Sequence, residues 1–128
     1  RSNRKFALFF VDIDKFKSIN DSKGHAFGDQ VLIEVANILK GNIRNSDTVA
    51  RFGGDEFVLL LDDIKNQTGV QYMLETLTKE VNKECVIKGE KYKISSSIGV
   101  AIFPSDGSTI EQLLAAADKN MYQMKSKG

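Results

Sequence analysis

Two short stretches of the sequence place carboxylates where a buried core has no need of them. Asp12 and Asp14 follow residues 6–11, an unbroken apolar run with the length and character of a buried strand. Asp55 and Glu56 are adjacent acids within a second apolar region. Acidic groups at such places cost free energy unless a cation or hydrogen bonds compensate them. The strand before Asp12 and the apolar segment around Asp55 and Glu56 could be neighbouring strands of one sheet. Asp12, Asp55 and Glu56 would then converge on an oxygen site suited to Mg²⁺.

A site of this kind has a definite chemistry. Two Mg²⁺ ions held by three carboxylates could bridge a nucleoside triphosphate, activate an attacking hydroxyl and steady the leaving pyrophosphate. Gly53 and Gly54, directly before the acids, tolerate positive φ and let a bulky substrate approach the backbone. Simpler interpretations stay open. Residues 53–56 also suit an ordinary hairpin turn, and Asp12 with Asp14 could be a solvated strand end or a helix N-cap.

A third stretch with chemical potential is residues 16–29. Backbone amides from Phe16 onward, together with Lys17, could cradle phosphates at a helix start. Asn20 and Asp29 suit the edge of guanine, because a carboxylate accepts from two guanine donors and an amide can pair with the remaining edge. Adenine lacks that donor pair and would leave the site unsatisfied. Alternatively, Asn20 and Asp29 cap or bridge loops, and Lys17 is an ordinary exposed lysine.

The composition is that of one globular domain. The chain has 128 residues, enough for a real core, with 41% hydrophobic and 27% charged residues. Eighteen basic and seventeen acidic residues leave a net charge of +1, so no nucleic-acid partner is expected. Cys85 is the single cysteine and cannot form an internal disulfide. No apolar run approaches the roughly 18 residues of a membrane span, and we expect a cytoplasmic location.

Hydrophobic periodicity predicts the element order β-α-β-β-α-β-α. The last helix opens with Ser108 and Glu111 in capping-box spacing, and residues 88–90 form a turn before the last strand. This order favours an α/β (α+β) fold of the ferredoxin-like or palm type, with flanking helices on one side of the sheet. The predicted strands are residues 6–11, 48–52, 57–61 and 92–102, and the predicted helices are residues 27–44, residues 68–83 and a third that buries Ile110, Leu113, Leu114, Ala117, Met121 and Met124.

These segments together resemble the GGDEF domain family of diguanylate cyclases. Residues 51–57, Arg-Phe-Gly-Gly-Asp-Glu-Phe, contain the family signature, and further family motifs follow in the right order along nearly the whole chain. They are residues 12–21 (Asp-Ile-Asp-Lys-Phe-Lys-Ser-Ile-Asn-Asp), 24–25 (Gly-His), 28–29 (Gly-Asp), 97–101 (Ser-Ile-Gly-Val-Ala) and 118–122 (Asp-Lys-Asn-Met-Tyr). The resemblance implies a nucleotide-cyclase-like palm and condensation of two GTP into cyclic di-GMP and two pyrophosphates. It also implies a homodimer, because each domain holds one GTP.

The resemblance implies roles for individual residues. Asp12, the carbonyl of Ile13 and Asp55 match metal-binding positions, with Mg²⁺ as the cofactor and Mn²⁺ as a substitute. Glu56 matches a position that binds metal or activates the 3′-hydroxyl, which makes Asp55 and Glu56 the catalytic acids. The implied substrate-binding residues are Asn20 and Asp29 for the base, Lys17 and Lys125 for the triphosphate, and Phe16, Gly53 and Gly54 beside them.

A regulatory site is implied by residues 44–47, which read Arg-x-x-Asp shortly before the glycine pair. The family has its product-inhibition site there. Arg44 can pair with a phosphate or with guanine, and Asp47 can accept from guanine donors. Alternatively, the two form a surface ion pair of little energetic value. The second arginine that some members supply is not evident, since Glu75 lies near its expected place.

The surroundings of the domain are also an expectation. The sequence opens at Arg1 without Met, which indicates a single GGDEF domain, residues 1–128, from a longer multidomain signalling protein with an N-terminal sensory or regulatory domain. That parent protein could itself be membrane-anchored. There the domain could instead be a catalytically silent module that binds GTP or cyclic di-GMP, although the intact turn favours catalysis. A cyclase with a monomeric cyclic product is disfavoured, because the base-reading and Arg44/Asp47 positions agree with the GGDEF family.

Overall fold

The computed structural model describes the backbone of residues 5–127 and the side chains of residues 5–123. No helix in this part of the chain is both long and apolar enough to cross a bilayer. In chain order the elements are β1 (Phe6–Ile13), α1 (Phe16–Lys23), α2 (His25–Gly41), β2 (Thr48–Arg51), β3 (Glu56–Leu61), α3 (Gln67–Val81), β4 (Glu84–Ile87), β5 (Glu90–Lys93), β6 (Ser96–Phe103) and α4 (Ile110–Lys127).

Four strands form one antiparallel sheet in the order β2-β3-β1-β6, and β4 pairs with β5 in a separate hairpin. This is the predicted ferredoxin-like, palm-type arrangement, and that prediction is confirmed. The central strand is β1, whose Asp12 pairs with Glu56 of β3 on one side and with Ser97 of β6 on the other. The end of β1 therefore lies beside the start of β3, where the second pair of acids begins.

Helices cover both faces of the sheet, so the prediction of cover on one side was wrong. Alternate residues of β1 belong to two separate apolar clusters. Phe9 and Val11 pack with residues of α2 and α3, whereas Leu8 and Phe10 pack with residues of α4. A central strand with both faces buried is apolar at every position, which explains the unbroken run at residues 6–11.

Helix α4 covers the second face largely as its sequence predicts. Leu113, Ala117 and Met121 are buried against the sheet, as predicted. Ile110 is half exposed, so the prediction that it is buried was wrong. The prediction that Met124 is buried falls outside the described side chains.

The N-terminal cap of α4 is shifted by one residue from the predicted capping box. The hydroxyl of Thr109 accepts from the backbone N–H of Gln112 at 3.1 Å, and the Gln112 side-chain oxygen accepts from the N–H of Ser108 at 2.8 Å. Thr109 and Gln112 therefore supply the capping acceptors in place of the predicted pair Ser108 and Glu111, and Ser108 donates to Gln112.

One helix was not predicted. Helix α1 occupies the segment in which only a phosphate cradle was expected, and it meets α2 at Gly24, whose φ of 95° breaks the helical path. The predicted helix over residues 27–44 therefore begins at His25 and ends at Gly41.

The predicted strand over residues 92–102 is divided in two. Tyr92 belongs to β5, where it pairs with Cys85 of β4, whereas β6 begins only at Ser96. Lys88 and Gly89 connect β4 to β5 with φ values of 51° and 80°, as in a type I′ hairpin turn. The predicted turn at residues 88–90 is confirmed.

Candidate metal and nucleotide site

Three carboxylates meet at the edge of the sheet where β1 ends and β3 begins. Asp12, Asp55 and Glu56 each offer one oxygen, and these oxygens all lie within 4.8 Å of one another. Asp12 and Glu56 are direct partners across the two strands, and the backbone N–H of Ile13 donates to the carbonyl of Asp55 at 3.1 Å. The strand register therefore brings together acids from two stretches that are distant in the sequence.

The cluster fits a divalent cation. Asp12 is buried, and Asp55 and Glu56 are half-buried. Negative charges this close and this far from water repel one another, and a cation among them removes the repulsion. Carboxylate and carbonyl oxygens are the ligands that Mg²⁺ and Mn²⁺ prefer. The residues that would hold the ion are these three acids, with the carbonyl of Ile13 at the same strand end.

Asp14 does not belong to this cluster. Its two carboxylate oxygens accept hydrogen bonds from the hydroxyls of Ser95 and Ser97, at 2.7 and 2.8 Å. Its backbone N–H also donates to the carbonyl of Ser95 at 2.9 Å. Asp14 thus ties the end of β1 to the start of β6, while Asp12 faces the other acids.

Backbone and side-chain hydrogen bonds hold the turn between β2 and β3. Phe52 and Gly53 donate their backbone N–H groups to the carbonyl of Glu56, at 2.8 and 3.4 Å. The Arg51 guanidinium donates through Nε to the carbonyl of Gly53 at 3.2 Å and through Nη2 to that of Gly54 at 2.7 Å. No role was predicted for Arg51 beyond its place in the family signature. The sequence signal that could have indicated this role is an arginine, with its several N–H donors, two residues before a glycine pair.

The two glycines of the turn serve different needs. A side chain at Gly53 would place its Cβ 2.5 Å from a carboxylate oxygen of Glu56, so the acid requires glycine there. A Cβ at Gly54 would meet nothing within 4 Å, which leaves open space over that residue. Neither glycine has φ in the left-handed region, so this turn does not use the tolerance of glycine for positive φ.

The two residues predicted to read guanine flank the junction of α1 and α2. Asn20 packs directly against Gly28, where an added Cβ would lie 1.9 Å from Asn20 Oδ1. Within residues 5–127, this buried oxygen has no hydrogen-bond partner. Asp29 follows Gly28 and lines a cleft of about 520 Å³ between α2 and β2. A buried acceptor without a donor costs free energy that a ligand with an N–H group can recover.

The separate hairpin holds this junction in place. Lys23, at the end of α1, forms an ion pair with Glu90 of β5 and also lies 5.6 Å from the centre of the Phe27 ring. The Phe27 ring meets Tyr92 of β5 edge-on, with centroids 5.1 Å apart. These contacts fix how α1 and α2 diverge from Gly24.

The residues predicted to contact the triphosphate are partly described. Helix α1 begins at Phe16, so the amides of the predicted cradle do lie at a helix start, and Lys17 is exposed in its first turn. The ring of Phe16 lies beside Gly28, close to Asn20. The side chain of Lys125 falls outside the described residues. The roles of these residues remain predictions.

A larger cleft, of about 780 Å³, lies between α1, α3 and the start of β6. Its walls include Asp14, Ser18, Asn82 and Ser97 but none of the three clustered acids. Size alone therefore does not mark the chemical site in this chain.

The two residues of the predicted product site, Arg44 and Asp47, form hydrogen bonds with each other. Asp47 accepts from the backbone N–H groups of Arg44 and Asp62, both at 3.0 Å, and from the Arg44 guanidinium at 3.3 Å. Burial alone would raise the pKa of Asp47, but these donors hold that pKa below its ordinary value. The Asp47 side chain is 1% exposed and that of Arg44 61%. Arg44 is therefore the member of the pair that a ligand can reach.

Comparison with known proteins identifies the family of this chain. The family model described as "Diguanylate cyclase, GGDEF domain" matches residues 1–128. The bifunctional diguanylate cyclase/cyclic di-GMP phosphodiesterase MucR of Pseudomonas aeruginosa is 43% identical over 128 residues, which are the whole of this chain but 18% of MucR.

Solved structures also resemble this chain. An EAL/GGDEF domain protein from M. capsulatus has a TM-score of 0.92 at 41% identity, covering 100% of this chain and 83% of that one. The GGDEF domain of DgcB from Caulobacter crescentus, solved in complex with c-di-GMP, has a TM-score of 0.89 at 29% identity, covering 99% of this chain and 75% of that one. The chain belongs to the GGDEF domain family of diguanylate cyclases.

Proposed function

We propose that this domain condenses two GTP molecules into cyclic di-GMP and two pyrophosphates. The observation that supports this most strongly is the meeting of Asp12, Asp55 and Glu56 oxygens within 4.8 Å at the edge of the sheet. A divalent ion held there, Mg²⁺ or Mn²⁺, would neutralise the triphosphate and favour loss of pyrophosphate. In each half-reaction a 3′-oxygen bonds to the α-phosphorus of the other GTP, pyrophosphate leaves, and Glu56 or solvent takes the hydroxyl proton.

Selection of guanine falls to the junction of α1 and α2. The unsatisfied oxygen of Asn20 can accept from a guanine donor, and the exposed carboxylate of Asp29 can accept from the N1–H and the amino group. ATP offers no such donor pair and would leave Asn20 buried and unpaired, which lowers its affinity.

Two copies of the domain must cooperate in this reaction. The described side chains, residues 5–123, form one carboxylate cluster and one junction that could read a base. One domain would therefore hold one GTP, and the attacking hydroxyl would come from a GTP on a second copy. The glycine turn is open to solvent over Gly54, and Phe52 beside it is 58% exposed. This open side leaves room for the second nucleotide.

The direct test is product analysis of the chain, dimerised by a fused coiled coil and incubated with GTP and Mg²⁺. Chromatography should show cyclic di-GMP with two pyrophosphates released per product. A monomeric cyclic nucleotide as product would contradict the proposal. GTP binding by calorimetry with no turnover in the dimer would favour the silent regulatory module instead.

We further propose that Arg44 and Asp47 form an inhibitory product site. The Arg44 side chain is exposed, and its Nη1 group can donate to a phosphate or to the guanine edge, while Nε and Nη2 donate to Asp47 and to the carbonyl of Asp62. A family relative, DgcB, was solved with c-di-GMP bound. Asp47 holds Arg44 and the end of β3 through its hydrogen bonds, so its replacement would disturb the fold as well as the site.

Arg44→Ala is therefore the variant to test: it removes the exposed member of the pair and one hydrogen bond to the carbonyl of Asp62, and leaves the bond from Asp47 to the Asp62 N–H in place. It should weaken inhibition by cyclic di-GMP at least about tenfold, since a charged contact to the ligand is lost, while turnover at low product stays unchanged. The measurement is the inhibition constant for added cyclic di-GMP. Lys65→Ala removes another exposed cation near the same edge and should leave that constant unaltered. Equal inhibition of the wild-type chain and Arg44→Ala would reject the site.

A further inference from the structure

Arg51 holds two consecutive peptide units of the turn in one orientation. Its guanidinium binds the carbonyl oxygens of Gly53 and Gly54, at 3.2 and 2.7 Å. In a planar trans peptide the N–H points opposite to the C=O. The N–H groups of the same two peptides, which belong to Gly54 and Asp55, are therefore directed away from the guanidinium.

These two N–H groups are unused. In the part of the chain that the structure describes, neither the N–H of Gly54 nor that of Asp55 donates a hydrogen bond to any acceptor. Gly54 is exposed, and a Cβ there would meet nothing within 4 Å, so a ligand can approach the turn at this residue. Consecutive backbone N–H groups that point the same way form a concave donor pair suited to an anionic oxygen.

The donor pair lies on the side of the sheet where the acids are. Arg51 shares a face of β2 with Val49, which packs against the cluster that includes Phe57, on the side of α2. Because side chains alternate along a strand, Glu56 lies on the opposite face from Phe57, and Asp12 opposite from Val11. Carbonyls that point towards Arg51 thus leave their N–H groups on the side of Asp12 and Glu56.

From this geometry we infer that Arg51 is a positioning residue that presents the N–H groups of Gly54 and Asp55 to a phosphate oxygen of the nucleotide. This inference rests on the proposed nucleotide function. The arginine binds the turn through these two carbonyls, on the side away from the acids. The backbone donors complement the cation site, because they bind the negative charge of the phosphate without adding positive charge beside the acids.

The first experiment observes the donors directly. The chain is labelled with ¹⁵N-glycine and titrated with 3′-deoxy-GTP and Mg²⁺, since this nucleotide lacks the attacking hydroxyl and cannot turn over. Binding should shift the amide resonances of Gly54, beside the phosphates, and of Gly28, beside the base. In Arg51→Met the Gly28 resonance should still shift, whereas the Gly54 shift should be largely lost.

The second experiment measures turnover of the same variants in the dimerised chain. Arg51→Met should lower kcat/KM by about 10²-fold, the usual effect of losing a preorganised backbone donor. Arg51→Lys should recover only part of this loss, because an ammonium cannot bind both carbonyls in the fixed geometry of the fork. Lys79→Met, which removes an exposed cation of α3 that lines neither the cleft nor the turn, should stay within twofold of the wild-type chain.

The outcomes distinguish failure of this inference from failure of the proposed function. A shift at Gly28 with none at Gly54 in the wild-type chain would overturn the role of the turn while leaving nucleotide binding intact. A normal Gly54 shift and near-normal turnover in Arg51→Met would overturn the role of Arg51. If no glycine resonance moves, the chain does not bind the nucleotide, and the proposed function fails together with this inference.

Discussion

Replacing Asp12 with asparagine should lower turnover of GTP by at least about a thousandfold, because several kcal/mol of charge stabilisation by a bound cation is lost. Asp12 is the buried member of the cluster and pairs directly with Glu56, so it controls whether an ion can be held between them. The asparagine has the same shape and removes one of three mutually repelling charges. The fold without metal should therefore be at least as stable as before.

Metal binding gives a second measurement for this variant. The wild-type chain should gain thermal stability on addition of Mn²⁺, because a ligand that binds only the folded state stabilises it. Asp12→Asn should lose most of that gain. Asp63→Asn makes the same chemical change at an exposed position outside the cluster and should behave like the wild-type chain. An unchanged Mn²⁺ response in Asp12→Asn would show that the acids do not share a cation.

Replacing Gly99 with alanine should have the largest effect on stability. A Cβ at Gly99 in β6 would lie 1.9 Å from the carbonyl oxygen of Ala117 and 2.4 Å from the backbone N of Met121. These are backbone atoms of α4, so only a movement of the whole helix relieves the overlap. We expect a loss of about 3 kcal/mol and a fall in Tm of about 10 °C, at the high end for overpacking.

Urea unfolding of Gly99→Ala checks this expectation. Gly41, at the end of α2, supplies the matched control, because a Cβ there would meet nothing within 4 Å. Gly41→Ala should be neutral or slightly stabilising, since alanine favours the helix and restricts the unfolded chain. A loss below about 1 kcal/mol in Gly99→Ala would mean that α4 can move away from β6 at little cost.

Strand β1 and the acids at its end could be predicted because their signals are local. An apolar run that stops at Asp12 is typical of a buried strand that ends at a polar site, and the partner acids lie in a turn with two glycines. The same run also contained the information that was missed. A strand apolar at every position is buried on both faces, so it needs helices on both sides of the sheet.

Other features could not be predicted because tertiary contacts decide them. Helix α1 is short and polar, with Ile19 as its only buried residue, so its periodicity is too weak to identify. The alternation of apolar and polar residues continues from Tyr92 of β5 into β6, because Ile94 between the two strands is buried. The two strands nevertheless belong to different sheets. Asp47 has the residue type of a ligand contact, but only the structure gives its hydrogen bonds to Arg44 and Asp62.

The two strands that flank the glycine turn differ in how firmly they are held. β3 lies between β1 and β2, whereas β2 is a four-residue strand at the sheet edge with mostly exposed side chains. Local opening therefore costs less on the β2 side than on the β3 side. The hydrogen bonds from Arg51 to Gly53 and Gly54 thus hold the glycine half of the turn from the less stable strand, whereas β3 holds the acidic half. Amide hydrogen exchange should accordingly be faster in Ala50 and Phe52, whose N–H groups face β3, than in Phe57 and Leu59, whose N–H groups face β1.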